Sequence, residues 1–159
     1  MIDLVFQNFT AERGLNEKFF KKILETAVKE LKFKEKNIGL SLNLVGESRI
    51  KELNKKYRGK NKITDVLSFP LDSQLKTESW KLKIAKSNMA IFDLGDIFIC
   101  LPFAKKQAKR ENIDIEKKLA QLLVHGLLHL AGYDHNKSHN DTEKMFKMES
   151  RILSKISSS

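Results

Sequence analysis

Three histidines, His125, His129 and His135, fall within the run HGLLHLAGYDH. Side chains four residues apart stand on one face of an α-helix, so His125 and His129 project side by side at chelating distance. Gly132 follows the apolar stretch of that helix and can adopt the left-handed conformation that ends it, which turns the chain back so that His135 reaches the same point. Three neutral imidazoles fill three positions of a tetrahedral zinc and leave the fourth open to water, the arrangement of a catalytic site. One zinc per chain is the expectation, although imidazole also suits nickel, copper and iron.

The spacing matches the extended zinc-peptidase pattern H-E-x-x-H-x-x-G-x-x-H except at its second position, where this chain has Gly126. The absent glutamate removes the general base of peptide hydrolysis while keeping the metal platform. A metallopeptidase built on this triad would need a base from outside the helix, with Glu143 and Glu149 as candidates. Asp134, next to His135, can orient a ligand imidazole or cap the following turn. His139 lies four residues from His135 and could pair with it on the surface or serve as an alternative ligand, but in the hydrophilic stretch NKSHND it reads as structural or solvent-exposed, in a loop rather than a site. Cys100 ends the apolar segment IFDLGDIFIC and reads as a small buried hydrophobe rather than a ligand.

The elements that must position these groups follow from periodicity. Met1 to Phe9 reads as a strand, and Asn16 to about Lys36 as an amphipathic helix with Phe20, Ile23, Leu24, Ala27, Val28 and Leu31 inward. Leu40, Leu42 and Leu44 alternate with Ser41 and Asn43 in a second strand, after which Ser48 is placed to cap a short helix burying Ile50, Leu53 and Tyr57. Asp65 to Phe69 makes a third strand stopped by Pro70, and Leu71 to Asn88 has little pattern. Met89 to Leu101 gives another strand, with a bulge at Gly95 and Asp96. Pro102 suits the first turn of a basic helix. Asp114 is placed to cap the next helix, about Ile115 to Ala131, which is apolar nearly all round and should therefore run through the core. Asn140 and Glu143 suggest a capping box for a last helix with Met145, Met148, Ile152 and Ile156 inward. The sum is an α+β domain over residues 1–156 with a frayed tail at 157–159, in which a small mixed β-sheet packs with helices around a central buried metal-bearing helix.

Charge indicates the partner. Thirty Lys and Arg against twenty Asp and Glu give a net charge of +10, which favours a polyanion such as nucleic acid. The segment Lys51 to Lys62 holds six basic residues and one acid, so Lys55, Lys56, Arg58, Lys60 and Lys62 are the candidate nucleic-acid contacts. Arg58 stands out because its planar fork can grip phosphate oxygens in a bidentate manner, with a surface cation or a pair with Asp65 as the ordinary alternatives. One cysteine excludes an intramolecular disulfide and suits a reducing compartment. The first residues lack a basic-then-apolar leader, and no run is long enough to span a bilayer, so the reading is a cytoplasmic protein without a membrane partner.

HGLLHLAGYDH resembles the signature H-G-x-L-H-L-x-G-Y-D-H of the YbeY family of bacterial ribosomal RNA maturation factors. LNKKYRGKNKITDVLSFP and LGDIFIC resemble two further blocks of that family, with Ile63 where proline is usual and Cys100 where serine is usual. The resemblance implies a zincin-like fold and a metal-dependent, single-strand-specific endoribonuclease with Arg58 as its catalytic cation. It also implies action in small-subunit ribosomal RNA 3′-end maturation and ribosome quality control. Ribosomal RNA and the small ribosomal subunit would be the partners, with ribosomal proteins or assembly GTPases beside them. A ribosome assembly factor whose metal is only structural is the non-catalytic alternative.

Overall fold

The computed structural model describes residues 1–71, 91–133 and 138–158. Among these are the strands β1 (Ile2–Asn8), β2 (Ile38–Val45), β3 (Val66–Pro70) and β4 (Phe92–Cys100). The helices are α1 (Glu17–Leu31), α2 (Glu47–Arg58), α3 (Leu101–Glu111), α4 (Ile115–Leu130) and α5 (His139–Ser157). The sheet runs β1-β2-β4-β3, with β1, β2 and β4 parallel and β3 antiparallel at one edge. It is therefore the mixed sheet of an α+β fold.

The side-chain period of two along each strand assigns the two faces. Leu40, Leu42 and Leu44 of β2 and Ile97 and Ile99 of β4 face one core, which they share with Phe20, Ile23 and Leu24 of α1, Leu119, Leu123 and Leu127 of α4, and Met145 and Ile152 of α5. Val45, Phe98, Cys100, Leu67 and Phe69 face the other, under Ile50 and Leu53 of α2. The expected central helix is α4: Leu119, Leu123, Val124, Leu127 and Leu128 are all fully buried. Among the described residues no helix is long and apolar enough to cross a membrane.

Several boundaries differ from the sequence reading, each for a local reason. Helix α1 is shorter than expected because Lys32 takes the left-handed conformation directly after Leu31. Ser41 and Asn43 alternate with leucines but are not solvated; both are 1% exposed, because the sheet is covered on both faces. Ser48 is not a cap, since α2 starts at Glu47 with Gly46 in the cap position, two residues earlier than expected. Pro70 lies within β3 instead of stopping it, which an edge strand tolerates. The last helix is capped by Ser138 rather than Asn140: the Ser138 hydroxyl accepts from the Asp141 backbone N–H at 3.1 Å and donates to the Asp141 carboxylate at 2.9 Å. His139 is consequently a helical residue and not a loop residue, highly exposed and 3.3 Å from Glu143. Helix α5 runs through Ser157, with Ser158 as its cap, so the regular structure extends past the expected start of the tail. The poorly patterned stretch from Leu71 falls almost wholly on residues outside the description.

Candidate metal centre

His125 and His129 stand in the last turns of α4, whose end is fixed by two backbone bonds. The Gly132 N–H donates to the His129 carbonyl at 3.1 Å and the Tyr133 N–H donates to the Leu128 carbonyl at 3.0 Å, with Gly132 at φ 98°. This pair of bonds closes a helix through a left-handed residue, as expected for Gly132. His135 and Asp134 lie outside the described residues.

The two imidazoles meet through their Nε2 atoms, 3.1 Å apart, with the rings nearly perpendicular at 78°. Two nitrogens bound to one tetrahedral zinc at ordinary bond lengths stand about 3.3 Å apart. The pair therefore fits a shared metal ion with little adjustment. Among the described residues no third His, Cys, Asp or Glu completes a metal-binding group. Cys100 is excluded by position, because it is buried on the sheet face away from α4, where burial also raises its thiol pKa.

The opposite side of His125 faces α5. Its Nδ1 is 3.7 Å from the Glu149 carboxylate. Glu149 was legible in the sequence only as a possible base, yet it sits on the side of the ring away from the Nε2 pair.

Gly126 explains why α4 lies so close to the sheet. A Cβ built there would meet the Ser68 hydroxyl at 2.9 Å and two Ile97 carbons at 3.2 and 3.3 Å. The Ser68 hydroxyl donates to the Gly126 carbonyl at 3.1 Å, tying β3 to the metal helix. A glutamate at this position would run into β3 and β4, so the peptidase base is excluded by packing as well as by composition.

Arg58 reaches the same place from the other face of the sheet. Its guanidinium passes over the Phe69 ring, 5.7 Å from the centroid, and Nη2 donates to the Ser68 carbonyl at 3.0 Å. The expected alternative of a pair with Asp65 is not what forms. Asp65 instead accepts from the Val66 N–H at 2.8 Å and from Gln107 at 3.1 Å. Cys100 N–H donates to the Asp65 carbonyl, so the backbone groups of residues 65, 67 and 69 face β4 and those of 66, 68 and 70 face outward. At that outer edge the Val66 N–H is taken by Asp65, the Ser68 carbonyl is taken by Arg58, and Pro70 has no N–H. An edge blunted in this way offers fewer groups to a further strand, which is how an extended peptide would dock.

A cleft of about 490 Å³ connects these groups; its walls include Arg58, Lys60, Lys62, Ser68, His125 and His129. The basic loop after α2 is held by Asn54, a buried side chain that donates to the Lys62 carbonyl at 2.9 Å. Lys55 and Lys56, also expected as contacts, are exposed on α2 and do not line the cleft; Lys56 lies over the Tyr57 ring instead. Asp96 is buried at the bulge where Ser41 pairs beyond Gly95. Burial pushes its carboxyl up to about 7, a bond from Ser41 partly offsets this, and the nearby Asp93 charge adds to the rise. The roles of Ser68 and Asn54 were not apparent from sequence, because both act through backbone carbonyls that only the fold brings near.

The model of the family described as "Endoribonuclease YbeY" matches residues 6–157. A protein named Endoribonuclease YbeY from Persephonella marina is 38% identical over 147 residues, 92% of this chain and 88% of that one. One of the same name from a Sulfurihydrogenibium species is 39% identical over 144 residues, 91% and 86% of the two chains. The solution structure of TM1509 from Thermotoga maritima is similar with a TM-score of 0.59 and 27% identity, covering 95% of this chain and 87% of that one.

Proposed function

The chain belongs to the YbeY endoribonuclease family, and on that premise we propose that it cuts single-stranded RNA at a zinc centre held by His125, His129 and His135. The observation that carries this reading is the single cleft in which Arg58, Lys60 and Lys62 share walls with the convergent histidine pair. Zinc, when bound, supplies Lewis-acid polarisation and lowers the pKa of water to about 7. Arg58, anchored through one N–H on the Ser68 carbonyl, presents the rest of its fork to a phosphate and stabilises the charge that develops there. Lys60 and Lys62 neutralise neighbouring phosphates, and Asp134 serves to orient His135. Lys55 and Lys56 contribute at longer range, outside the cleft. The family membership supports ribosomal RNA as the substrate, at the 3′ end of the small-subunit RNA, with ribosome quality control as the setting and the cytoplasm as the place.

The peptidase alternative lacks support on two counts: no glutamate fits at position 126, and the β3 edge beside the cleft is blunted. The test is Arg58→Ala in protein freed of contaminating nucleases. Zinc content should be unchanged while cleavage of single-stranded RNA falls by about a hundredfold or more. Unchanged cleavage would refute the role of Arg58. Wild-type protein that binds RNA without cutting it would instead favour the assembly-factor reading. End-group analysis of the products assigns the attacking group: a 2′,3′-cyclic phosphate means ribose attack, and a 5′-phosphate means attack by water.

A further inference from the structure

We infer that Glu149 is a positioning residue for the metal pair, its carboxylate holding the Nδ1 side of His125 so that Nε2 stays turned toward His129. The inference rests on the reading of His125 and His129 as metal ligands. An imidazole can rotate about its bond to the backbone, and a ligand that rotates freely loses binding energy each time it is ordered. Ligating histidines commonly avoid this by donating their second N–H to a carboxylate, which also makes the bound nitrogen more basic. Here the Nε2 atoms of the pair are 3.1 Å apart, and the carboxylate stands 3.7 Å from the other nitrogen of the same ring, in ion-pair range and a few tenths of an ångström beyond a hydrogen bond, which a small side-chain adjustment closes.

The placement also excludes two other roles. A metal ligand or a general base would have to lie on the Nε2 side, where the metal and its water would be. Glu149 lies on the Nδ1 side.

The fold determines where Glu149 sits. On α5 it follows Met145 by four residues and precedes Ile152 by three, so it borders the buried stripe that packs into the core with α4. The rotation of α5 is set on its other flank, where Arg151 and Lys155 reach the buried carboxylate of Glu30 on α1 at 2.8 and 2.7 Å. Glu149 and His125 are each only partly exposed, at 24% and 32% of their side chains, which limits screening of the pair.

The test is zinc affinity, measured by competition with a chromophoric chelator, beside thermal unfolding of the metal-free proteins. Glu149→Ala should bind zinc about ten- to a hundredfold more weakly, with its metal-free unfolding midpoint close to that of wild type. Glu149→Gln keeps the size and one acceptor oxygen, so it should lose less than Glu149→Ala. His129→Ala should lose more than either. Wild-type affinity in Glu149→Ala, with affinity lost in His129→Ala, overturns this inference and leaves the metal centre standing. Wild-type affinity in His129→Ala overturns both. If Glu149→Ala does not fold, Glu149→Gln decides alone: a measurable loss of affinity is expected, and wild-type affinity refutes the role.

Discussion

Replacing Gly126 by alanine tests how the metal helix is seated. The added methyl has no room: it meets the Ser68 hydroxyl at 2.9 Å and the branched Ile97 side chain at 3.2 and 3.3 Å. The hydroxyl can swing away, but only by giving up its bond to the Gly126 carbonyl, worth about 0.5–1.5 kcal/mol. Crowding against Ile97 in a filled core costs about 1–3 kcal/mol. Against this, alanine gains about 1 kcal/mol over glycine inside a helix. The net expectation is a loss of about 2 kcal/mol, or about 4–8 °C in the unfolding midpoint for a chain of this size. Circular dichroism of the metal-free protein during heating and urea titration measures it. In a Ser68→Ala background the oxygen is already absent, so the same change should cost about 1 kcal/mol less. A Gly126→Ala protein as stable as wild type would refute the close seating of α4 on β3 and β4. With it would fall the packing argument against the peptidase.

Two further outcomes follow from buried and exposed charge. The Asp96 carboxyl titrates near 7 in the folded protein against an ordinary value of 3.8, so the folded state holds the proton more tightly. Its contribution to stability is fully present below about pH 4, is lost as the pH rises to about 7, and is level above that. Asp96→Asn should therefore flatten the fall in stability across that window and be more stable than wild type at pH 8; parallel urea-denaturation profiles from pH 4 to 8 would refute the assignment. In the cleft, Lys60→Ala and Lys62→Ala should each reduce the slope of log affinity against log salt by about 0.7 for single-stranded RNA, measured by fluorescence anisotropy. Lys55→Ala, outside the cleft, should change it less, and equal slopes for all three would argue against the cleft as the RNA path.

Much of this protein could be read from local pattern. Period 3.6 and period 2 identified helices and strands because each element buries one stripe or face, and α4 was legible as central because it is apolar nearly all round. Boundaries were less legible. Whether Gly46 or Ser48 starts α2, or Ser138 or Asn140 starts α5, depends on small differences between neighbouring polar residues that all can cap. That Ser41 and Asn43 are buried despite their polarity depends on what covers the sheet, which lies elsewhere in the chain.

The same division runs through the candidate site. The sequence by itself determined the histidine pair, the glycine that ends their helix, the basic segment and the absent glutamate, because helical spacing and backbone freedom are local properties. Only the tertiary structure decided which cations reach the histidines: Arg58, Lys60 and Lys62 line the cleft, and Lys55 and Lys56 do not. It also decided that Arg58 bonds a strand-edge carbonyl rather than Asp65, that Gly126 is required by Ser68 and Ile97, and that Glu149 faces the far side of His125. Each of these joins residues distant in sequence, and such contacts depend on how the sheet and helices pack together.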